Sequence, residues 1–223
     1  MLKYPCLVLD HDDTVVQTER TIGYPYFRDY IERIRPGHTL SFAEYVQDCN
    51  NMVFADMCRQ KWHFTEEELR EEYFGWKAYS RLHIPEVCPG IHRIVKRQKE
   101  LGGMVFVASL STREIIERDF LHHFGCLPDG VYDYDLPDHL RKPNTFALTD
   151  IMERYGFSPE QILMVDDMKL GWQMANAVGA ATAFAGWSKA DYPELANEMR
   201  SICDYAFDSA AELEKFLFGE VQS

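Results

Sequence analysis

The chain has 223 residues, 46% of them hydrophobic, and a formal net charge of −13. That length allows one good core, or a core with a small second domain. The acid excess leaves no basic stripe for nucleic acid, no stretch approaches a membrane span, and Met1–Leu9 lacks the charged start and long apolar run of a secretory leader. Six cysteines without paired spacing read as free thiols, so a reducing, cytoplasmic location is the default expectation.

Cys6 and Leu7-Val8-Leu9 predict a buried parallel strand that runs into Asp10-His11-Asp12-Asp13-Thr14. Open α/β sheets present ligand sites at such strand ends. Two Asp one residue apart repel there unless a cation or proton lies between them. An acidic turn is the plain alternative for this segment taken alone. From 16 to 84 the pattern is helical only. Ser41 with Glu44 is a capping-box signature before an amphipathic run from Phe42 to Met57, and Thr65 with Glu68 opens a helix through Leu69, Tyr73, Trp76 and Tyr79. Pro36-Gly37 separates the first helix from the second. Some seventy residues without a strand is too long for a loop, which predicts an inserted helical domain over 16–84 within a core made of 1–15 and 85–223.

The strand/helix alternation resumes with a helix over Ile91–Leu101, ended by Gly102-Gly103, and the strand Met104–Ala108 delivers Ser109. Ser111 with Glu114 predicts a capped helix to about Phe124, followed by a short strand over Gly130–Tyr134. Arg141-Lys142-Pro143 places a cation at the start of a helix over Asn144–Tyr155. Ser158-Pro159-Glu160-Gln161 is a capped turn before the apolar strand Ile162–Val165, which ends in Asp166-Asp167. A helix over Gly171–Val178, strands over Ala180–Ala185 and Tyr205–Phe207, and a closing helix over Ala210–Phe218 complete the series. Repeated βα units imply an α/β fold with a doubly wound parallel sheet.

Asp10-x-Asp12-x-Thr14, the strand-end Ser109, Lys142-Pro143, and Asp166-Asp167 followed by Gly171 stand in an order that resembles the haloacid dehalogenase-like hydrolase superfamily. The resemblance covers essentially the whole chain. It implies a Rossmann-like core and, because the helical insertion follows the first motif, a helical cap over the strand ends. It implies a Mg²⁺-dependent phosphatase that hydrolyses a small phosphorylated metabolite through an aspartyl phosphate. Asp10 is then the nucleophile and Asp12 the general acid and base. Mg²⁺ falls to Asp10, the backbone carbonyl of Asp12 and Asp167, with Asp166 a secondary or water-mediated contact. Ser109 and the N–H of Leu110 hold phosphoryl oxygens, and Lys142 neutralises charge between nucleophile and phosphate. Glu19 and Arg20, with Gln17 and Thr18, directly follow the nucleophile loop and are candidate hinge and substrate contacts. Asp13 stands where the family often has Gly, Arg141 replaces a frequent Gly before the Lys, and Met168-Lys169 follow the acid pair where small polar residues are common.

A β-phosphoglucomutase-like phosphomutase shares every one of these groups and is the nearest rival. A dehalogenase has no use for Asp12 or for the acidic metal site. A phosphonate hydrolase of this family forms a Schiff base on a cap lysine, for which Lys61 and Lys77 exist without supporting context. The rival of a different class is a catalytically silent binding domain, which loss of Asp10, Asp12 or Lys142 would favour; all three are present. Strand alternation points His11 to the opposite face, into packing. His122-His123 read as helix surface, and Trp62, Trp76 and the tyrosines of 16–84 as core of the insertion. The expected partner is a small phosphorylated metabolite, with no nucleic acid and no membrane, for a monomer or a homodimer.

Overall fold

The computed structural model describes residues 2–219. Gln17–Glu86 forms one compact unit, and the chain before and after it forms a second.

The second unit is built on six parallel strands, β1 (Cys6–Leu9), β2 (Met104–Ala108), β3 (Gly130–Tyr132), β4 (Ile162–Asp166), β5 (Ala181–Ala185) and β6 (Tyr205–Phe207), in the spatial order β3-β2-β1-β4-β5-β6. Leu7 and Leu9 of β1, Val105 and Val107 of β2, and Leu163 and Val165 of β4 pack on one face with Ile91, Ile94, Ile116, Phe120 and Leu213. Cys6 and Val8, Phe106 and Ala108, and Ile162 and Met164 pack on the other with Leu148, Ile151, Met174 and Ala175. Successive residues therefore serve opposite faces, and both faces are covered, as an all-parallel sheet requires. The direction of strand ordering reverses beside β1, so the carboxyl ends of β1, β2 and β4 open onto the same crevice.

The other unit, Gln17–Glu86, is helical. A π-helical turn over Glu19–Gly23 leads into α1 (Tyr24–Ile34), α2 (Phe42–Asn51), α3 (Phe54–Trp62) and α4 (Glu66–Leu82). Both predicted capping boxes form, at Ser41/Glu44 and Thr65/Glu68. The run predicted from Phe42 to Met57 instead breaks at Met52-Val53, where the backbone is extended. Its amphipathic pattern continues across the break, and Val53 caps α3 without a side-chain hydrogen bond, so no local signature marks it. Phe27 is the hub of this unit's core, its ring 5.1 Å from Phe54, 5.7 Å from Tyr45, and 6.2 Å from both Trp62 and Phe64. Trp62, Tyr30 and Tyr45 are buried, whereas Trp76 is only half-buried.

Glu72 of α4 is 5% exposed, and burial raises its carboxyl to about 8 beside Tyr26, Tyr45 and Cys58. A carboxyl whose folded pKa exceeds its unfolded one favours folding most when both states hold the proton. That stability is lost as pH rises from the ordinary value of 4.5 to about 8. The limiting slope is about 1.4 kcal/mol per pH unit. Glu72→Gln is expected to flatten this slope and to raise the Tm at pH 8. Thermal unfolding of variant and parent compared across that pH range checks it, and parallel curves would contradict the assignment.

Among the described residues the remaining α-helices are α5 (Ile91–Glu100), α6 (Arg113–Phe124), α7 (Phe146–Tyr155), α8 (Lys169–Val178), α9 (Pro193–Ile202) and α10 (Ala210–Phe218), and no helix is long and apolar enough to cross a membrane. Three differ from the sequence reading. Thr112, not Ser111, is the N-cap of α6, and the Ser111 side chain is buried instead. The helix after Lys142 begins at Phe146, leaving Lys142 in the preceding loop. No helix was expected at α9, although Pro193 at its first turn and buried Leu195, Ala196 and Met199 are a readable signal. His122 is exposed, as expected, His123 beside it is half-buried, and all six cysteines are free.

Candidate active site

Three strand ends meet here. The N–H of Asp10 donates to the Val165 carbonyl at 2.9 Å, which ties the end of β1 to β4 and sets Asp10 beside Asp166 and Asp167. Carboxylate oxygens of these three residues lie within 4.8 Å of one another, and all three side chains are buried. Gly171 admits this arrangement. A Cβ there would lie 2.1 Å from Asp166 Oδ2, so only glycine lets the first turn of α8 close onto that carboxylate.

Lys142 reaches in from its loop with a side chain 6% exposed, its Nζ 2.6 Å from Asp10 Oδ1 and 2.8 Å from Asp166 Oδ2. Burial opposes its charge, but the two carboxylates outweigh burial and push the ammonium up from its ordinary range. Burial, joined by repulsion from Asp166 and Asp12, raises Asp10 to about 7 against the pull of Lys142. Burial likewise raises Asp166, and raises Asp167 to about 6. Three buried oxygen donors whose charge is held back by desolvation suit a hard divalent cation, which would relieve their repulsion.

Asp12 stands at the rim, its side chain 24% exposed. Oδ2 accepts from the Ser109 hydroxyl at 3.5 Å, which brings the β2 end to the β1 loop. Ser109 Oγ also accepts the Ser111 N–H at 3.1 Å, and Leu110 between them is half-buried. Thr14, the last residue of the first motif, donates to Asp167 Oδ1 at 3.3 Å.

Two groups were not found from sequence. His11 is fully buried, but as a polar bridge, with Nδ1 3.3 Å from Asp12 and Nε2 3.3 Å from Asp119. Burial opposes its charge, yet these carboxylates raise the imidazole to about 9. The alternation that points it away from Asp10 holds, since it packs against α6 on the face of Leu7 and Leu9; what the sequence did not show is the carboxylate on either side of the ring. Lys189 is 0% exposed and bonds Asp167 at 2.6 Å and Asp13 at 3.1 Å. Nothing local in Gly186-Trp187-Ser188-Lys189 announces it.

Glu19 and Arg20 belong to the helical unit, in its π-helical turn. Glu19 Oε2 and the Tyr45 hydroxyl converge on Gly23, where a Cβ would lie 2.8 Å and 3.1 Å from them. The Arg20 guanidinium lies over the Phe42 ring at 4.5 Å.

The model of the haloacid dehalogenase-like hydrolases matches residues 4–179, which takes in every motif segment of this site. The chain belongs to that family. A comparison with curated proteins finds no match to this haloacid dehalogenase-like hydrolase. Solved structures do match. A protein from Bacteroides fragilis assigned as a haloacid dehalogenase-like hydrolase aligns with a TM-score of 0.79 at 17% identity, over 95% of this chain and 100% of its own. A predicted phosphoglycolate phosphatase from Haemophilus somnus gives 0.74 at 16%, over 97% and 99%. CbbY from Rhodobacter sphaeroides, solved with xylulose-(1,5)bisphosphate, gives 0.71 at 18%, over 96% of each chain. At these identities the likeness speaks for the fold.

Proposed function

We propose that this haloacid dehalogenase-like hydrolase is a Mg²⁺-dependent phosphatase acting on a small phosphorylated metabolite. The observation that carries the reading is Lys142 Nζ, buried between Asp10 and Asp166 at the ends of β1 and β4. One fixed cation beside a nucleophile-grade carboxylate is what an incoming phosphoryl group needs, because a net charge of −13 offers no attraction at long range. The binding of xylulose-(1,5)bisphosphate and of phosphate by CbbY supports the substrate class.

In this reading an Asp10 oxygen attacks phosphorus while the bond from phosphorus to the ester oxygen breaks. Asp12 gives its proton to the departing oxygen. Its carboxylate then takes a proton from water, whose oxygen attacks the aspartyl phosphate and returns Asp10 free. Ser109 and the Leu110 N–H hold phosphoryl oxygens, and Lys142 offsets charge throughout. Asp10, Asp167 and the Asp12 carbonyl would hold Mg²⁺, with Asp166 in a secondary role. When bound, the ion supplies charge neutralisation for the phosphoryl oxygens and keeps Asp10 ionised. Gln17–Glu86 acts as the cap that sets specificity, with Glu19 and Arg20 its candidate contacts.

Turnover of p-nitrophenyl phosphate before and after exhaustive chelation and dialysis tests the reading. The expected result is a loss of at least about tenfold that Mg²⁺ restores. Unchanged turnover after chelation would remove the metal from the account, and no turnover with Mg²⁺ on a panel of sugar phosphates, nucleotides and phosphoglycolate would favour a silent binding domain.

A further inference from the structure

Lys189 comes from the short turn that follows β5, and its placement is fixed on several sides. Its own N–H donates to the Gly186 carbonyl at 3.0 Å and its carbonyl accepts from Tyr192 at 3.0 Å. Its neighbour Trp187 donates from Nε1 to the Thr14 carbonyl at 3.2 Å. The turn is thereby fastened to the loop that carries Asp10 and Asp12. A fully buried ammonium is costly unless well paired. Lys189 meets that demand with two carboxylates, Asp167 at 2.6 Å and Asp13 at 3.1 Å.

Asp13 makes the second half of the observation. Its φ is 55°, a left-handed conformation that suits glycine and, among other residues, Asn and Asp. Aspartate thus keeps the turn glycine would make, with its N–H donating to Val16 O at 2.7 Å, while adding a carboxylate that reaches Lys189. The pair spans 176 positions of sequence and closes on a predicted metal ligand.

The charges follow a simple pattern. Asp10 and Asp166 share Lys142, and Asp13 and Asp167 share Lys189. With Asp12 set apart beside His11, these four carboxylates and two ammonium groups leave two negative charges, which a single divalent cation neutralises. We infer that Lys189 is the fixed counter-charge of Asp167, balanced by Asp13, and that this pair sets how tightly the site holds its divalent ion. The inference rests on the proposed metal site. Lys189 occupies one oxygen of Asp167 and subtracts one charge from the field the ion meets, while Asp13 restores part of what Lys189 removes. A fixed charge a few ångströms from a divalent ion acts strongly in a buried site.

Calorimetric titration of the stripped full-length protein with Mg²⁺ and with Mn²⁺, at one fixed pH above neutrality and without phosphate, tests this. Lys189→Met is expected to tighten binding by about tenfold or more, and Asp13→Asn to weaken it by a similar factor. The double variant regains the parent's charge and should return to within a few-fold of it. A pair that merely braces the loop would weaken binding in both single variants, with no recovery in the double, and that pattern overturns the inference. If Lys189→Met fails to fold, Lys189→Gln, which also removes the charge, takes its place in the same comparison, and unchanged affinity in Asp13→Asn refutes the counter-charge role in either case. Asp167→Asn separates the two levels. Binding by the parent that Asp167→Asn abolishes upholds the metal site even when the Lys189 and Asp13 variants refute the counter-charge. A parent that binds neither ion takes both down.

Discussion

Asp10→Asn is expected to lower phosphatase turnover by at least about 10⁴-fold, because a reaction that passes through a covalent intermediate has no substitute for its nucleophile. The substitution is nearly isosteric. Asn can still accept the Lys142 bond, now 2.6 Å long, through its carbonyl oxygen, so the fold should survive. It also removes a carboxyl that burial holds at about 7, which relieves repulsion with Asp166. Stability should therefore hold or rise while activity disappears. Steady-state kinetics paired with thermal unfolding separate the two effects. Residual activity near that of the parent would place the nucleophile elsewhere.

Lys142→Met should fail in the opposite way, through the fold as well as the chemistry. Lys142 is the shared partner of two buried carboxylates, and removing one member of a buried ion pair typically costs about 3–5 kcal/mol. Asp10 and Asp166 can shed that penalty by taking up protons. Their pKa values, already raised, would climb further, so the loss should be greatest well above pH 7 and should shrink as pH falls toward the parent Asp10 value of about 7. Urea denaturation of parent and variant at several pH values measures it. Turnover should drop by roughly 10²–10³-fold, the usual loss when one fixed charge facing the transition state is removed. A variant as stable as the parent at every pH would mean that the two contacts are not held in solution.

How much of this was legible in advance follows from where the information lies. β1, β2 and β4 announce themselves because a strand buried on both faces must be apolar throughout, and each run stops at a candidate site residue: Asp10, Ser109, Asp166. The boxes at Ser41 and Thr65 are local chemistry complete within four residues, and both form. Lys189 carries no such mark. Its role exists only because the end of β5 folds beside a loop 176 positions away, and a lone lysine in a polar turn reads as solvated surface. His11 is buried on the face that strand alternation gives it, but its partner Asp119 lies on α6, more than a hundred positions away, and nothing local marks it. Asp13 was recognised as a departure from the family but without a purpose, which its φ of 55° and its bond to Lys189 supply.

The proposed mechanism turns on a covalent bond between phosphorus and Asp10, made in one step and broken with the help of Asp12. The direct measurement is rapid-quench mass spectrometry of the Asp12→Ala variant, mixed with Mg²⁺ and a phosphoester carrying a good leaving group. Such a substrate needs little acid assistance in the first step, while the loss of the base slows the second by roughly 10²–10⁴-fold. Phosphoenzyme should accumulate, with the added phosphoryl group mapping to Asp10, and it should be absent from Asp10→Asn. A phosphoryl group found on any other residue, or formed as readily in Asp10→Asn, would contradict the mechanism.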